Sequence, residues 1–267
     1  LIADPGADPG ADAGAALTTR ALTIAAGTRV LVRHLSLSVQ RGEFLAVLGR
    51  NGCGKSLTLH ALAGLAPPQS GQVLLYGREL GTLSRREIAC TLGLLPQDRE
   101  ESLALTALES VLIGRHPHLQ FWQREGAQDL ALARAALERF GLADCAMRLV
   151  TTLSGGEQRR AAMAALLAQA PQIYLLDEPS NHLDPHHQIE ILSLFRNLCT
   201  AGASIIATLH DPTLAERFAD RALLLYGDGR YRLGAAAEVL NSQTLSELYL
   251  TPMQAFGDAP RRAFIPA

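Results

Sequence analysis

The sequence predicts an α/β protein built around a mostly parallel sheet. The first indication is "FLAVL" (Phe44–Leu48), a continuous apolar run of the kind a strand buried on both faces requires. The second is the return of strand-like runs at "IYLLD" (173–177), "SIIATLH" (204–210) and "ALLLY" (222–226), separated by helix-forming stretches. Parallel strands need such crossover segments between them. The third is composition: 267 residues with a 48% hydrophobic share give enough material for a substantial core, in one large domain or two lobes.

Taken along the chain, residues 1–16 ("LIADPGADPGADAGAA") repeat Ala-Asp-Pro-Gly and hold too few large apolar side chains to fold, so they read as a disordered leader. Order is expected from Leu17, with short strands around residues 21–24 and 30–39 before Phe44–Leu48. A helix from about Ser56 to Ala63 follows, stopped by Gly64 and then Pro67-Pro68. From Glu101 to about Met163 the chain turns Ala/Leu-rich, with charges at helical spacing and few β-branched residues. That stretch predicts a helical subdomain, bounded at about 98–163 and inserted in a domain spanning 17–233. Residues 234–267 read as a tail of one or two short helices with loose ends.

Charge and cysteines narrow the function. A net charge of −2, with Lys and Arg spread along the chain, supplies no basic field for gathering nucleic acid. Cys53, Cys90, Cys145 and Cys199 form no CxxC pair and read as reduced thiols of a cytosolic protein. No apolar run approaches the ~20 residues that span a bilayer, and no basic-then-apolar signal peptide is present.

The chemistry centres on Gly49-Arg50-Asn51-Gly52-Cys53-Gly54-Lys55-Ser56, which fits GxxxxGK[ST] and lies between a strand and a helix. Its glycines let successive backbone N–H groups curl around a β-phosphate at the positive end of the helix. Lys55 would reach the β- and γ-phosphates, and Ser56, followed by Leu57, would ligate Mg²⁺. A glycine-rich turn with no nucleotide is the plainer alternative; the Lys-Ser pair and the strand–turn–helix context argue against it. The guanine-reading NKxD motif of GTPases does not occur.

Two further motifs decide what the phosphate is for. "IYLLDEP" ends a strand on Asp177-Glu178, the Walker-B pattern. Asp177 would support Mg²⁺ through water, and Glu178 would act as general base on the attacking water. A solvated acidic turn is the simpler reading of that pair taken alone. In "LSGGEQRR" (153–160), a Ser and two glycines open a helix and offer a second anion-ready N-terminus. Ser154 with Glu157 three residues on also fits an ordinary capping box, and the two readings are compatible.

With these motifs in this order, the chain from Leu17 to Thr251 resembles the ATP-binding cassette (ABC) family. The resemblance implies a P-loop NTPase with a RecA-like core, an antiparallel β subdomain and an inserted α-helical subdomain. It also implies roles for single residues. Gln97 in "LLPQD" is similar to the Q-loop glutamine that contacts Mg²⁺ and water beside the transmembrane partner. Asp184 in "SNHLD" is similar to the D-loop aspartate, and His210 in "ATLHD" to the switch histidine that contacts the γ-phosphate. Two copies would assemble head to tail. Each ATP would lie between the Lys55 loop of one copy and Ser154, Gly155, Gly156 and Glu157 of the other.

Some positions depart from the family pattern. The aromatic ring expected before strand 2 is replaced by Ala25 or Ala26, which leaves adenine stacking to be supplied elsewhere. Leu57 replaces a usual Thr or Ser, Arg159 takes a usual Gln position, and Ala165 a usual Arg position. His182, His186 and His187, with His116 and His118, invite a metal reading. Pro185 interrupts the turn that would align His182 with His186, so loop histidines beside a nucleotide site are the better reading.

"IGRHPHLQFW" and "SNHLDPHHQIEIL" are similar to the cassettes of type II importers for iron–siderophores, haem or cobalamin. The resemblance implies two membrane permease subunits, a periplasmic binding protein and a place on the cytoplasmic face of a bacterial inner membrane. Residues 105–122 would meet a coupling helix of the permease, where Phe121 and Trp122 suit either that contact or packing inside a small lobe. The stretch "RNGCGKSLTLHALAGL" lacks the Gly-Glu-Leu ending frequent in haem cassettes, which points to a siderophore or cobalamin. Two other readings stay open: a soluble ABC-type ATPase acting on ribosomes or DNA, and a nucleotide-gated binding module without catalysis.

Overall fold

The computed structural model describes residues 14–97, 104–120, 122–181, 183–259 and 261–267. In chain order the elements are strands β1 (Ala15–Ala26), β2 (Arg29–Gln40) and β3 (Phe44–Gly49), helix α1 (Lys55–Leu62), and strands β4 (Ser70–Leu75) and β5 (Arg78–Glu79). Helix α2 (Arg85–Thr91), strand β6 (Leu92–Leu95) and helices α3 (Ala107–Ile113), α4 (Ala127–Arg139) and α5 (Gly155–Gln169) follow. Then come β7 (Ile173–Leu176), α6 (Pro185–Thr200), β8 (Ser204–Thr208), α7 (Pro212–Phe218), β9 (Arg221–Leu225) and β10 (Tyr231–Ala235). The chain closes with α8 (Ala236–Val239), α9 (Ser242–Tyr249) and the hairpin strands β11 (Met253–Phe256) and β12 (Ala263–Pro266).

The continuous apolar runs become the central sheet, ordered β10-β9-β3-β8-β7-β6. Every pairing in it is parallel except that of the edge strand β10. Strand periodicity explains why the runs do not alternate in polarity. Phe44, Ala46 and Leu48 of β3 face one core, while Leu45 and Val47 face the other. β7 and β9 divide in the same way, with Tyr174 and Leu224 on the first side and Leu175 and Leu223 on the second.

The second core is closed by α1, α2 and an antiparallel sheet ordered β2-β1-β4-β5. The first is closed by α5, α6, α7 and α9, with α3 and α4 layered on α5. Arg115 pins that helical layer. Its Nε donates to Asp129 on α4 at 3.0 Å and its Nη1 to the Ala168 carbonyl on α5 at 2.7 Å.

Several boundaries differ from the sequence reading. β1 starts at Ala15, two residues before the expected onset of order, because Ala15 pairs with Gln40 and Ala16 is fully buried. The rest of the expected leader, residues 1–13, lies outside the described residues. The third helix of the insertion, α5, runs to Gln169 and past the expected edge at 163. The boundary expected at 234 falls inside β10. The tail beyond it is docked, not loose: Arg262 pairs with buried Glu216 of α7 at 2.6 Å, and Phe264 enters the core.

Phe195 of α6 is fully buried and meets Tyr174 of β7 edge-on at 5.8 Å. Truncating it removes a ring that locks α6 to the strand carrying Asp177. Phe195→Ala is expected to cost about 3–5 kcal/mol of stability, read from urea unfolding; a loss below about 1 kcal/mol would place the ring outside the core.

Candidate functional site

The parallel register lets the loops after β3, β6, β7 and β8 gather at one end of the sheet, where open α/β folds place ligands. They form a cleft of ≈ 630 Å³. The loop before α1 and the first turn of that helix line it with Asn51, Gly52, Lys55 and Ser56; Gln97, Glu178 and His210 come from the other three loops. The sequence motifs therefore converge in space, although more than 150 residues separate Lys55 from His210 along the chain.

The loop is shaped by backbone freedom. Gly54 caps α1 at φ 104, and a side chain there would also press on Leu31 at 3.1 Å. At Gly49 a Cβ would lie 2.5 Å from the Leu225 carbonyl oxygen. Burial pushes the Cys53 thiol up from its ordinary pKa, against the opposing pull of Lys55, so it packs behind the loop as a neutral group. Helix α1 carries no acidic residue in its first turn, which leaves its positive end open to an anion.

Lys55 is 5% exposed, and its Nζ donates to the carbonyls of Gly49 at 2.9 Å and Arg50 at 3.4 Å. No carboxylate pairs with it among the described residues. A buried ammonium held only by carbonyl dipoles is an electrostatic vacancy that an anionic phosphate would fill.

Opposite the loop, the two Walker-B carboxylates are held differently. Asp177 Oδ1 accepts from the Thr208 hydroxyl at 2.7 Å, while its buried Oδ2 has no hydrogen-bond partner among the described residues. Asp177 itself does not line the cleft, and its spare oxygen, one residue before Glu178, suits a hydrated divalent cation. Glu178 sits at φ 50, a left-handed conformation that a non-glycine residue keeps only when its surroundings hold it. Its backbone N–H donates to Thr208 Oγ1 at 2.7 Å. Its carboxylate meets His210 Nε2 at 2.5 Å and accepts from the Asn181 side-chain amide.

The signature residues are elsewhere. Ser154 caps α5 through the expected capping box with Glu157, yet none of residues 153–157 lines the cleft. Ser154 and Gly155 are exposed. The Ser154 backbone N–H and hydroxyl hold the Glu157 carboxyl below its usual range. Asp184 also lies off the cleft and caps α6; the His187 backbone N–H and then the His187 ring depress its pKa. His187 Nδ1 is 2.6 Å from Asp184 Oδ2, so this imidazole serves the cap. His182, part of the metal reading, lies outside the described residues.

Sequence reasoning missed four site residues. Thr208 is an unremarked member of an apolar strand, and Asn181 lies in a turn. Arg159 had been noted only as a departure from the family pattern. Arg29 stands at the cleft lip beside Ala26, its guanidinium anchored to the Gly227 carbonyl at 2.8 Å. The absent aromatic ring was the one available signal that something else must face the base. Trp122 is 90% exposed, which removes the core-packing alternative for that side chain; Phe121 lies outside the described residues.

Comparison with known proteins bears on the family and the fold. The family model described as "ABC transporter" matches residues 32–181, and an AAA-domain model matches 148–216. A hemin import ATP-binding protein of Deinococcus radiodurans is 45% identical over 209 residues, covering 76% of this chain and 78% of that protein. An achromobactin transport ATP-binding protein of Dickeya dadantii is 35% identical over 235 residues, covering 88% and 87%. A metal-chelate-type ABC transporter solved in an inward-facing conformation matches with TM-score 0.82 at 29% identity, covering 95% of this chain and 98% of that one. A dimeric bacterial ABC cassette matches at TM-score 0.74 and 26% identity, covering 82% and 98%.

Thr208 serves both carboxylate residues through one hydroxyl, so its removal should be costly. Thr208→Val is expected to lose about 1–3 kcal/mol by stranding the Asp177 oxygen and the Glu178 N–H, with Thr208→Ser recovering most of it. Chemical denaturation of the three proteins checks this, and equal midpoints for Val and Thr would refute it.

Proposed function

The chain belongs to the ABC transporter family as an ATP-binding cassette, and we propose that it hydrolyses ATP to drive a bacterial importer of an iron chelate (ferric siderophore or haem) or of cobalamin. The observation that carries this reading is the cleft itself. A buried, carboxylate-free Lys55 faces Glu178, and Glu178 is held by His210 and Asn181. The names of the relatives supply the transport class: they are ATP-binding proteins for hemin, achromobactin and, in Halobacterium salinarum, cobalamin import.

In this reading Lys55 and the N–H groups of Gly52 to Ser56 bind the β- and γ-phosphates. Ser56, Asp177 and Gln97 would hold Mg²⁺, which when bound screens the phosphate oxygens and stabilises charge on the departing ADP. Glu178 accepts the proton of the attacking water, and His210 holds the γ-phosphate side of the cleft while steadying the Glu178 carboxylate. The wall formed by Ala26 and Leu31 receives the base, with the Arg29 guanidinium plane as its stacking partner in place of an aromatic ring.

The partners belong to the same reading. None of residues 153–157 lines its own cleft, which fits Ser154, Gly155 and Gly156 serving the cleft of a second copy in a head-to-tail dimer. Among the described residues no helix is long and apolar enough to cross a membrane. In this reading the cargo passes through two permease subunits, supplied by a periplasmic binding protein, as the import names of the relatives suggest. The cassette works on the cytoplasmic face of the inner membrane. A shallow groove lined by Leu94, Ile113, Pro117 and Ala165 is the surface that fits a permease helix. Ala165 widens it where the family pattern has Arg.

Two experiments test the reading. Glu178→Gln should lower ATP turnover about 10²–10⁴-fold while ATP accumulates the dimer in size-exclusion chromatography. Adding Ser154→Arg to that protein should return it to monomer. A Glu178→Gln protein with unchanged turnover, or an unaffected dimer in the double variant, would defeat the assigned roles.

The cargo is named by vesicle uptake with the membrane subunits and binding protein, offering a ferric siderophore, haem and cobalamin in turn. ATP-dependent uptake of one of them, absent with Glu178→Gln, is the expected result. Uptake of none by a complex that hydrolyses ATP would overturn the importer assignment while leaving the ATPase intact.

A further inference from the structure

We propose that Arg159 is a positioning residue that ties the signature helix, the Gln97 loop and the base-bearing Glu178 into one mechanical unit. The inference rests on the ATPase reading above and adds a residue to it. Arg159 lies in the second turn of α5, the helix that Ser154 caps. Its Nη1 donates to the carbonyls of Pro96 at 2.5 Å and Gln97 at 2.9 Å. Its Nη2 donates to the carbonyls of Asp177 at 2.5 Å and Glu178 at 3.0 Å.

The position explains why a forked cation belongs there. β6 and β7 pair in parallel as far as Leu95 and Leu176, and the Asp177 N–H still donates to the Leu95 carbonyl at 2.9 Å. Beyond that point Pro96 has no N–H to continue the ladder, and the pairing of the two strands ends. Four carbonyls are left there. The planar guanidinium presents two donor nitrogens in fixed geometry, one toward each strand, and bridges them. A glutamine at this position has two amide hydrogens on one nitrogen and could satisfy at most two of the four carbonyls. A lysine keeps the charge but concentrates its three donors at one point.

The consequence falls on Glu178. Its φ of 50 is held from one side by Thr208, which accepts its N–H, and from the other by Arg159, which binds its carbonyl and that of Asp177. Any displacement of α5 or of the Gln97 backbone therefore reaches the peptide that aims the general base. Arg159 touches no reacting atom; it acts through the backbone of residues that do.

The test compares wild type with Arg159→Gln and Arg159→Lys by steady-state ATP hydrolysis and by amide hydrogen exchange. Arg159→Gln is expected to lower kcat about tenfold or more with the KM for ATP within about twofold, since the phosphate loop is untouched. Arg159→Lys should fall between Gln and wild type. Exchange in the 177–181 segment should rise about tenfold in Arg159→Gln, as expected for the loss of anchoring hydrogen bonds. Exchange in α1, an internal control for global destabilisation, should stay unchanged.

Unaltered exchange at 177–181 overturns the clamp, whether or not the chain hydrolyses ATP. Exchange that rises equally in α1 reduces Arg159 to a general stabiliser and also overturns it. If wild type exchanges as expected but shows no turnover, the ATPase reading fails while the exchange comparison still decides the clamp.

Discussion

The register of the parallel strands constrains everything else in this molecule. Phe44 lies beside Ile205, Ile205 beside Tyr174, and Tyr174 beside Gly93, so β3, β8, β7 and β6 run in step. The loops that follow these strands consequently open at the same end of the sheet. One carries the phosphate loop, one His210, one Asp177-Glu178 and one Gln97. A slip of one residue in any strand would turn its side chains to the opposite face. Because both faces are packed, Leu45 and Phe44 could not exchange places without unfilling one core and overfilling the other. Precision in the site is thus inherited from burial far from it.

Within that frame the site is polar in a selective way. Lys55, Asp177, Glu178 and Thr208 are all buried polar groups at the C-terminal end of the sheet. Each hydrogen bond among them fixes an orientation: Thr208 bridges Asp177 and the Glu178 backbone, Asn181 and His210 hold the Glu178 carboxylate, and Arg159 braces the carbonyls behind it. Among the described residues the Asp177 Oδ2 oxygen and the third donor of Lys55 have no partner. Those are the positions that a magnesium–phosphate group, with opposite charge on its two parts, would complete.

What was legible in the sequence was what sits next to an apolar strand. The phosphate loop follows Phe44–Leu48, Asp177-Glu178 follows Ile173–Leu176, and His210 follows Ser204–Thr208, so a buried run announced each motif. Thr208 was invisible because one hydroxyl inside a strand looks like ordinary β propensity. Arg159 could be seen as an odd residue, but its acceptors are backbone carbonyls 18 to 63 positions away, and carbonyls carry no sequence signal. The C-terminal hairpin was missed for a related reason. Its strands are mostly exposed and lack alternating polarity, and its docking rests on a few scattered residues: Met253, Arg262 and Phe264. The early start of β1 was hidden by two alanines, which pack under a sheet without any hydrophobic pattern to mark them.

The separation between cleft and signature gives the proposed dimer its logic. A cleft that already held every contact to its nucleotide would bind tightly but would have no reason to change shape. Here Ser154 and Gly155 are exposed and neither they nor Gly156 line their own cleft, so in the proposed dimer the contacts they offer are made across a two-fold arrangement. A nucleotide therefore binds the closed state better than the open one by the whole of that second set of contacts. Such differential affinity is what a ligand needs in order to shift a two-state equilibrium. A ratio of about 10⁴ between the two states would carry the pair from almost fully open to almost fully closed. Loss of the terminal phosphate removes the group that both sides share, and the same argument then runs in reverse. The energy available for moving cargo is set by how unequally Ser154 and Lys55 see the nucleotide before and after hydrolysis, and not by how tightly either holds it.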